Sequence, residues 1–311
     1  MMTTIRAVAL AACLWMGLAA PQVFAQNAYS PDRPDANFMA RDQAIRNKTD
    51  VKIPDYDPAL KMNMAKSLIR QTGLPCDPGA VGDPYLAPGK VNGQAVHVWV
   101  IEVGCQDRRG FLLESREAGR ASAYPIGCLE AAAIHDRQSD APVCKLPSNA
   151  APFAWLTDPA RPFLLDCTIT RARFVGENET SHRETYEIGC QAGKAGGVLV
   201  VPDYRASDTH VAYLNCLKVL HTRFECVLTQ DAEAVAALAG PVRTGAPDCD
   251  LVKAEFIGGK DGLDYYEVAC RATAGFVMAV DASGAFKTRT ACDQAQAYGG
   301  CRLQAAPPPV H

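Results

Sequence analysis

The sequence has 311 residues and 13 cysteines, yet no two of those cysteines stand in a C-x-x-C pair. That absence leaves thioredoxin-type redox chemistry without its motif. It also argues against structural zinc, which draws its cysteines from pairs roughly two to four residues apart. A G-x-S-x-G elbow, a G-x-x-x-x-G-K-[ST] phosphate loop and an H-E-x-x-H pair are missing as well. Their absence removes the usual sequence signs of an acyl hydrolase, a nucleoside triphosphatase and a zinc protease. The net charge is only −3 and no basic run occurs, so nothing marks a nucleic-acid platform. After residue 25 no apolar run approaches the roughly 20 residues of a membrane helix, and no transmembrane segment is expected in the mature chain. No cofactor and no metal are expected.

What is present begins with an export signal. Met1–Arg6 carries one positive side chain, Ala7–Ala20 is apolar, and Val23-Phe24-Ala25 supplies the small-residue exit. Cleavage is expected before Gln26, with residues 1–25 removed. A rival reading takes Leu10-Ala11-Ala12-Cys13 as a lipobox, but the apolar segment continues past Cys13. Loss of the signal removes Arg6 and Cys13, leaving a net charge of −4 and an even number of cysteines. An even number in an exported chain predicts disulfides and a periplasmic or secreted location.

The stretch Tyr186-Glu187-Ile188-Gly189-Cys190 is written three times, with copies at Ile101-Glu102-Val103-Gly104-Cys105 and Tyr266-Glu267-Val268-Ala269-Cys270. Each is followed by a glycine and an apolar run, as in Gly110-Phe111-Leu112-Leu113. Upstream, Cys167–Gly176 and Cys249–Gly258 share the pattern C-x-[IL]-x-[RK]-A-x-F-[VI]-G. The first cysteine of each copy stands at Cys76, Cys167 and Cys249, giving periods of 91 and 82 residues, longer than common solenoid repeats.

The fold class predicted is α+β, with three tandem disulfide-stapled modules, each a small antiparallel sheet with helices on one face. The modules are placed at 53–148, 149–230 and 231–304, after a disordered lead-in at 26–52 and before a disordered tail at 305–311. Each reads as helix, three strands, a helix carrying the third cysteine, and a short closing strand at Cys144, Cys226 or Cys301. Helices are expected at Pro58–Gln71, Asn149–Leu156, Asp231–Leu238 and Val211–Leu220, with Gly240-Pro241 ending the third of these. The broken alternation after Cys167 and Cys249 calls for a bulge or a late strand start.

Four cysteines per unit allow three pairings. If the first two strands form a hairpin, the start of one lies beside the end of the other. That pairs Cys76 with Cys105, Cys167 with Cys190 and Cys249 with Cys270. The remaining bridges are then Cys128–Cys144, Cys216–Cys226 and Cys292–Cys301.

Glu102, Glu187 and Glu267 are the candidate binding residues, a row of carboxylates for a cation or a partner. The plainer reading is a solvated strand face, with cross-strand pairing to a base such as Arg171 or Lys253. Among His97, His135, His182, His210, His221 and His311 no pair has the helical spacing of a metal face. Trp155 with Phe153 and Phe163 reads as packing between units. The general plan resembles inhibitor proteins built from tandem disulfide-bonded α/β repeats, with a different order of elements. The function expected is that of an exported, non-enzymatic repeat protein binding a cell-envelope partner. The alternative is an envelope enzyme or enzyme inhibitor with its site in the divergent first module.

Overall fold

The protein is described from a computed structural model covering residues 56–303, apart from 92–93, 118–119, 165–166, 221 and 223. The signal at 1–25, the lead-in at 26–52, the tail at 305–311, His221 and His311 lie outside the described residues. The architecture is α+β: three antiparallel sheets, short helices and six disulfides.

The chain enters through helix α1 (Pro58–Thr72), with proline in its first turn and Gly73 closing it at φ 70°. Its apolar side buries Met64, Ala65 and Ile69 against Trp99, Ile101, Val103 and Leu113 of the first sheet. That sheet comprises β1 (Pro78–Val81), β2 (Tyr85–Val91), β3 (Gln94–Cys105), β4 (Gly110–Glu117) and β5 (Arg120–Gly127). β1 and β2 share one edge of the long β3: Pro78 faces Cys105, and Tyr85 faces Val100. Pro84 stands at the break between them, where one continuous strand runs in the other two sheets.

The second sheet runs β6 (Ile169–Asn178), β7 (Arg183–Cys190), β8 (Gly197–Pro202) and β9 (Ala212–Asn215). The third runs β10 (Leu251–Lys260), β11 (Leu263–Cys270), β12 (Phe276–Asp281) and β13 (Phe286–Ala291). Their registers superpose residue for residue. Ile169 faces Cys190 as Leu251 faces Cys270, and Glu187 faces Val198 as Glu267 faces Val277. A bulge follows Ile169, Leu251 and Pro78 alike, which turns Ala172, Phe174 and their counterparts onto the core face.

Three expectations change. Each sheet has a further strand just before the third cysteine, so Val211–Leu220 is not one helix. β9 pairs with the Val-rich, buried β8 and covers its open edge, and that pairing outweighs the helical propensity of Ala212 and Leu214. The helices start at the third cysteine: α2 (Cys128–Arg137), α4 (Cys216–Val219) and the 3-10 helix Cys292–Tyr298. Before Cys167 the chain makes 3-10 turns at Pro147–Asn149 and Ala154–Leu156 and one short helix, α3 (Thr157–Ala160). Nor does Gly240-Pro241 end the third helical stretch. After α5 (Asp231–Ala236) those residues form the first turn of α6 (Ala239–Gly245), where proline's missing N–H leaves nothing unpaired.

Helices also join successive sheets. Leu129 of α2 is buried in the core of the second sheet with Leu156, Tyr186, Ile188 and Leu199. Cys216 and Leu217 of α4 are buried in the core of the third with Tyr266, Val268, Phe276 and Met278. In the first sheet α1 covers one face, while Ala131 and Ile134 of α2 pack with Val98, Val100 and Leu112 on the other. Helices thus cover both faces of that sheet.

Candidate functional site

The repeated glutamates are buried: Glu102 is 6% exposed, Glu187 0% and Glu267 2%. A solvated strand face is thereby excluded. A buried carboxylate must be satisfied, and the segment after each fourth cysteine does so. Glu102 accepts from the backbone N–H of Lys145 (2.7 Å) and Leu146 (2.8 Å) and from Asn149 Nδ2 (2.8 Å). Glu187 accepts from the N–H of Val227 (2.8 Å) and Leu228 (2.6 Å), and Glu267 from that of Leu303. The expected closing strands are therefore loops whose amides turn onto a carboxylate instead of a ladder. Arg173, not Arg171, lies opposite Glu187 and donates to it at 2.5 Å, while Arg171 holds the Leu228 carbonyl at 3.0 Å. The small residue before each second cysteine makes room for this loop. A Cβ on Gly104 would strike Ser148 Oγ, and one on Gly189 would come within 3.2 Å of Leu228 Cβ.

The cysteines close the same assembly. The bridges are Cys76–Cys105, Cys167–Cys190 and Cys249–Cys270 across the first hairpins, and Cys128–Cys144, Cys216–Cys226 and Cys292–Cys301 from helix start to closing loop. Glu102 and Glu187 each lie against one of the latter bridges, at distances that would suit metal ligands. Sulfurs joined to one another offer no thiolate, so these groups do not suit a metal in the oxidised protein.

A different site lies between the first and second sheets. A small cleft, partly open to solvent, is lined by Arg109, Phe111, Trp155, Glu184, Tyr186 and Tyr204, among others. Trp155 comes from the 3-10 turn and sets its ring edge-on to Tyr186, with centroids 5.4 Å apart. On the other side the Arg109 guanidinium lies 4.2 Å from the Trp155 ring centre. Glu184 and Tyr186 are two apart on β7 and share a face, and the tyrosine hydroxyl donates to Glu184 Oε2 at 2.8 Å. Burial pushes the Glu184 carboxyl above the usual range, against the pull of the Tyr186 hydrogen bond and of Arg109. Burial, with Glu184 beside it, holds the Tyr186 hydroxyl well above the ordinary phenol.

At the rim, buried Asp203 follows β8 and accepts from Arg205 Nε at 2.8 Å, and Arg205 also reaches Glu177. His182 adopts φ 51°, and its buried Nδ1 has no hydrogen-bond partner among the described residues and stands 3.8 Å from Asp203 Oδ2. Glu177, His182 and Asp203 could together approach a cation. The guanidinium of Arg205 already bridges both carboxylates, so a metal would have to displace it.

The corresponding place between the second and third sheets holds an ion pair of the chain's own. Lys218 Nζ of α4 is 2.8 Å from both carboxylate oxygens of Asp264 and 5.4 Å from the Phe256 ring centre. Of the residues around the first cleft, the sequence pointed to Trp155 as packing, and to Tyr186, Gly110 and Phe111 only as parts of the repeated strands. Phe153, Trp155 and Phe163 do pack against the second sheet's core, and Phe163 stacks on Tyr213. His97 lies on β3 and His135 Nδ1 stands 2.8 Å from the Ala141 carbonyl. Comparison with protein-family models, curated proteins and solved structures finds no match for the chain.

Proposed function

We propose that this is an exported, non-enzymatic protein of three tandem disulfide-stapled modules that binds a cell-envelope partner in the cleft between its first and second sheets. The observation that carries the reading is an asymmetry. The two junctions are built alike, yet one is bridged by an ion pair of Lys218 and Asp264 while the other has a cleft lined by aromatic and charged groups. Six disulfides, with no helix among the described residues long and apolar enough to cross a membrane, fit an oxidising environment outside the cytoplasm. The repeated glutamates bind the protein's own closing loops, so the reading rests on the cleft instead.

In-cell photo-crosslinking tests the reading. A benzoylphenylalanine at Tyr204, in the cleft, should capture one dominant envelope protein, and the same probe at exposed Asp293 should not. Equal capture from both positions, or none from Tyr204, would overturn it.

A second reading, an envelope enzyme or enzyme inhibitor, draws support from Glu184 and Tyr186, a hydrogen-bonded acid pair shifted by burial and facing the cleft. Both shifts are upward, which leaves the tyrosine neutral and supplies no activated nucleophile beside it. Chemical change in a partner captured at Tyr204, abolished by Glu184→Gln, would favour this reading over binding alone.

A further inference from the structure

The second junction holds its own ligand. Lys218 presents an ammonium to Asp264, over Phe256, which sets its ring edge-on to Tyr266 with centroids 5.4 Å apart. At the first junction the receiving side is retained. Glu184 stands two residues before Tyr186 as Asp264 stands two before Tyr266, and Phe174 meets Tyr186 edge-on at 5.5 Å. The donating side is reversed. Helices α2 and α4 begin Cys128-Leu129-Glu130 and Cys216-Leu217-Lys218, so Glu130 occupies the place of the lysine. Leu129 and Leu217 are buried in the following sheet's core, so the two helices are seated alike.

Among the described residues that border the first cleft, neither Arg109 nor Arg205 repeats the contact of Lys218. Arg109 stacks on Trp155 and stands 3.6 Å from Asp107, and Arg205 is bonded to Asp203 and Glu177. The Glu184 carboxyl remains above its ordinary range with Arg109 nearby, its desolvation in the cleft outweighing the pull of that cation. Glu130 adds to the negative potential around Tyr186.

We infer that the first cleft receives the ammonium group of a lysine side chain on the partner, held by Glu184 beside the Tyr186 ring as Lys218 is held by Asp264 over Phe256. This rests on the binding reading above. A compact ammonium on a flexible stem matches the internal example, and an aromatic face adds to the attraction when the site is desolvated.

The test uses the full mature protein and Nα-acetyl-lysinamide, with Nα-acetyl-norleucinamide as the probe lacking the charge. Trp155 fluorescence should respond saturably to the lysine probe and not to the norleucine one. Glu130→Lys installs the internal ammonium. It should weaken the response about tenfold or more while raising the melting temperature, so that loss of binding is not loss of fold. Glu184→Gln should weaken it similarly. An equal response to norleucinamide, or unchanged binding in Glu130→Lys, would overturn the inference. So would saturation by phosphatidylethanolamine vesicles without response to the lysine probe, which would place the amine on a lipid. If Tyr204 still captures its partner in Glu130→Lys, the binding function stands and the lysine inference falls. If Tyr204 of the otherwise natural protein captures nothing while lysinamide binds, the ammonium site stands, but the envelope partner, and with it the partner's lysine, falls.

Discussion

A buried carboxylate carries information only through its partners. Glu102 accepts three hydrogen bonds, two from backbone amides that no ladder reaches. Glu102→Ala should therefore cost about 3 kcal/mol or more in urea unfolding, whereas Glu179→Ala, on an exposed turn, should fall within about 0.5 kcal/mol of the parent. A cost at Glu102 no larger than at Glu179 would mean that water replaces the carboxylate. The three glutamates were visible in sequence as a repeated position, but their role was not, because the amides they bind lie some 40 residues downstream. Glu184 makes the opposite case: nothing repeats it by name, and only its desolvation beside Tyr186 in the cleft distinguishes it. Its folded-state pKa is raised, so the stability it contributes is present below the unfolded carboxyl pKa and lost as pH rises through the folded one. Glu184→Gln removes that loss. Calorimetry from about pH 4 to pH 8 should find the variant similar to the parent at the acid end and progressively more stable above it. A constant difference across that range would contradict the buried-carboxyl account.

At the level of elements, the disulfide and the carboxylate act on one loop. Cys216–Cys226 closes a short segment, and chain entropy alone credits such a bridge with about 3 kcal/mol. The same bridge holds the Val227 and Leu228 amides over Glu187. Replacing both cysteines by alanine should therefore cost more than the entropy term, and less when Glu187→Gln is already present. A double-mutant cycle should return a coupling of about 1 kcal/mol or more; additivity within about 0.5 kcal/mol would separate the two devices. Hairpins, the bulge after Ile169 and Leu251, and the even set of cysteines could be read from pattern because each is local or nearly so. β9 could not: Ala212-Tyr213-Leu214 has no β signature of its own and becomes a strand because β8 offers an edge. The cleft was illegible for the same reason at longer range, since Arg109, Trp155, Glu184 and Asp203 come from four separate segments.

At the level of the whole molecule, stability depends on how each sheet is tied to the next. Between the second and third sheets the ties are Leu217 in the core and the ion pair Lys218–Asp264, about a quarter exposed. Lys218→Glu would copy the first junction's charges and set two carboxylates against each other. The loss of a partly buried pair and the new repulsion should together cost about 1–3 kcal/mol. That cost falls on one junction, so it tests whether the array unfolds as a unit. The two tryptophans beyond the signal, Trp99 and Trp155, both lie among the first and second sheets' contacts, and none lies in the third. Tryptophan fluorescence therefore follows the first two sheets, while far-ultraviolet circular dichroism follows all three. In Lys218→Glu the dichroism transition should begin at lower urea than the fluorescence transition, with the third sheet leaving first. If the two curves shift together instead, Leu217 and its neighbours suffice to couple the sheets. The Lys218–Asp264 pair would then serve to fill the second junction rather than to hold it, and the lack of that pair at the first junction would weaken one contact without loosening the chain around the cleft.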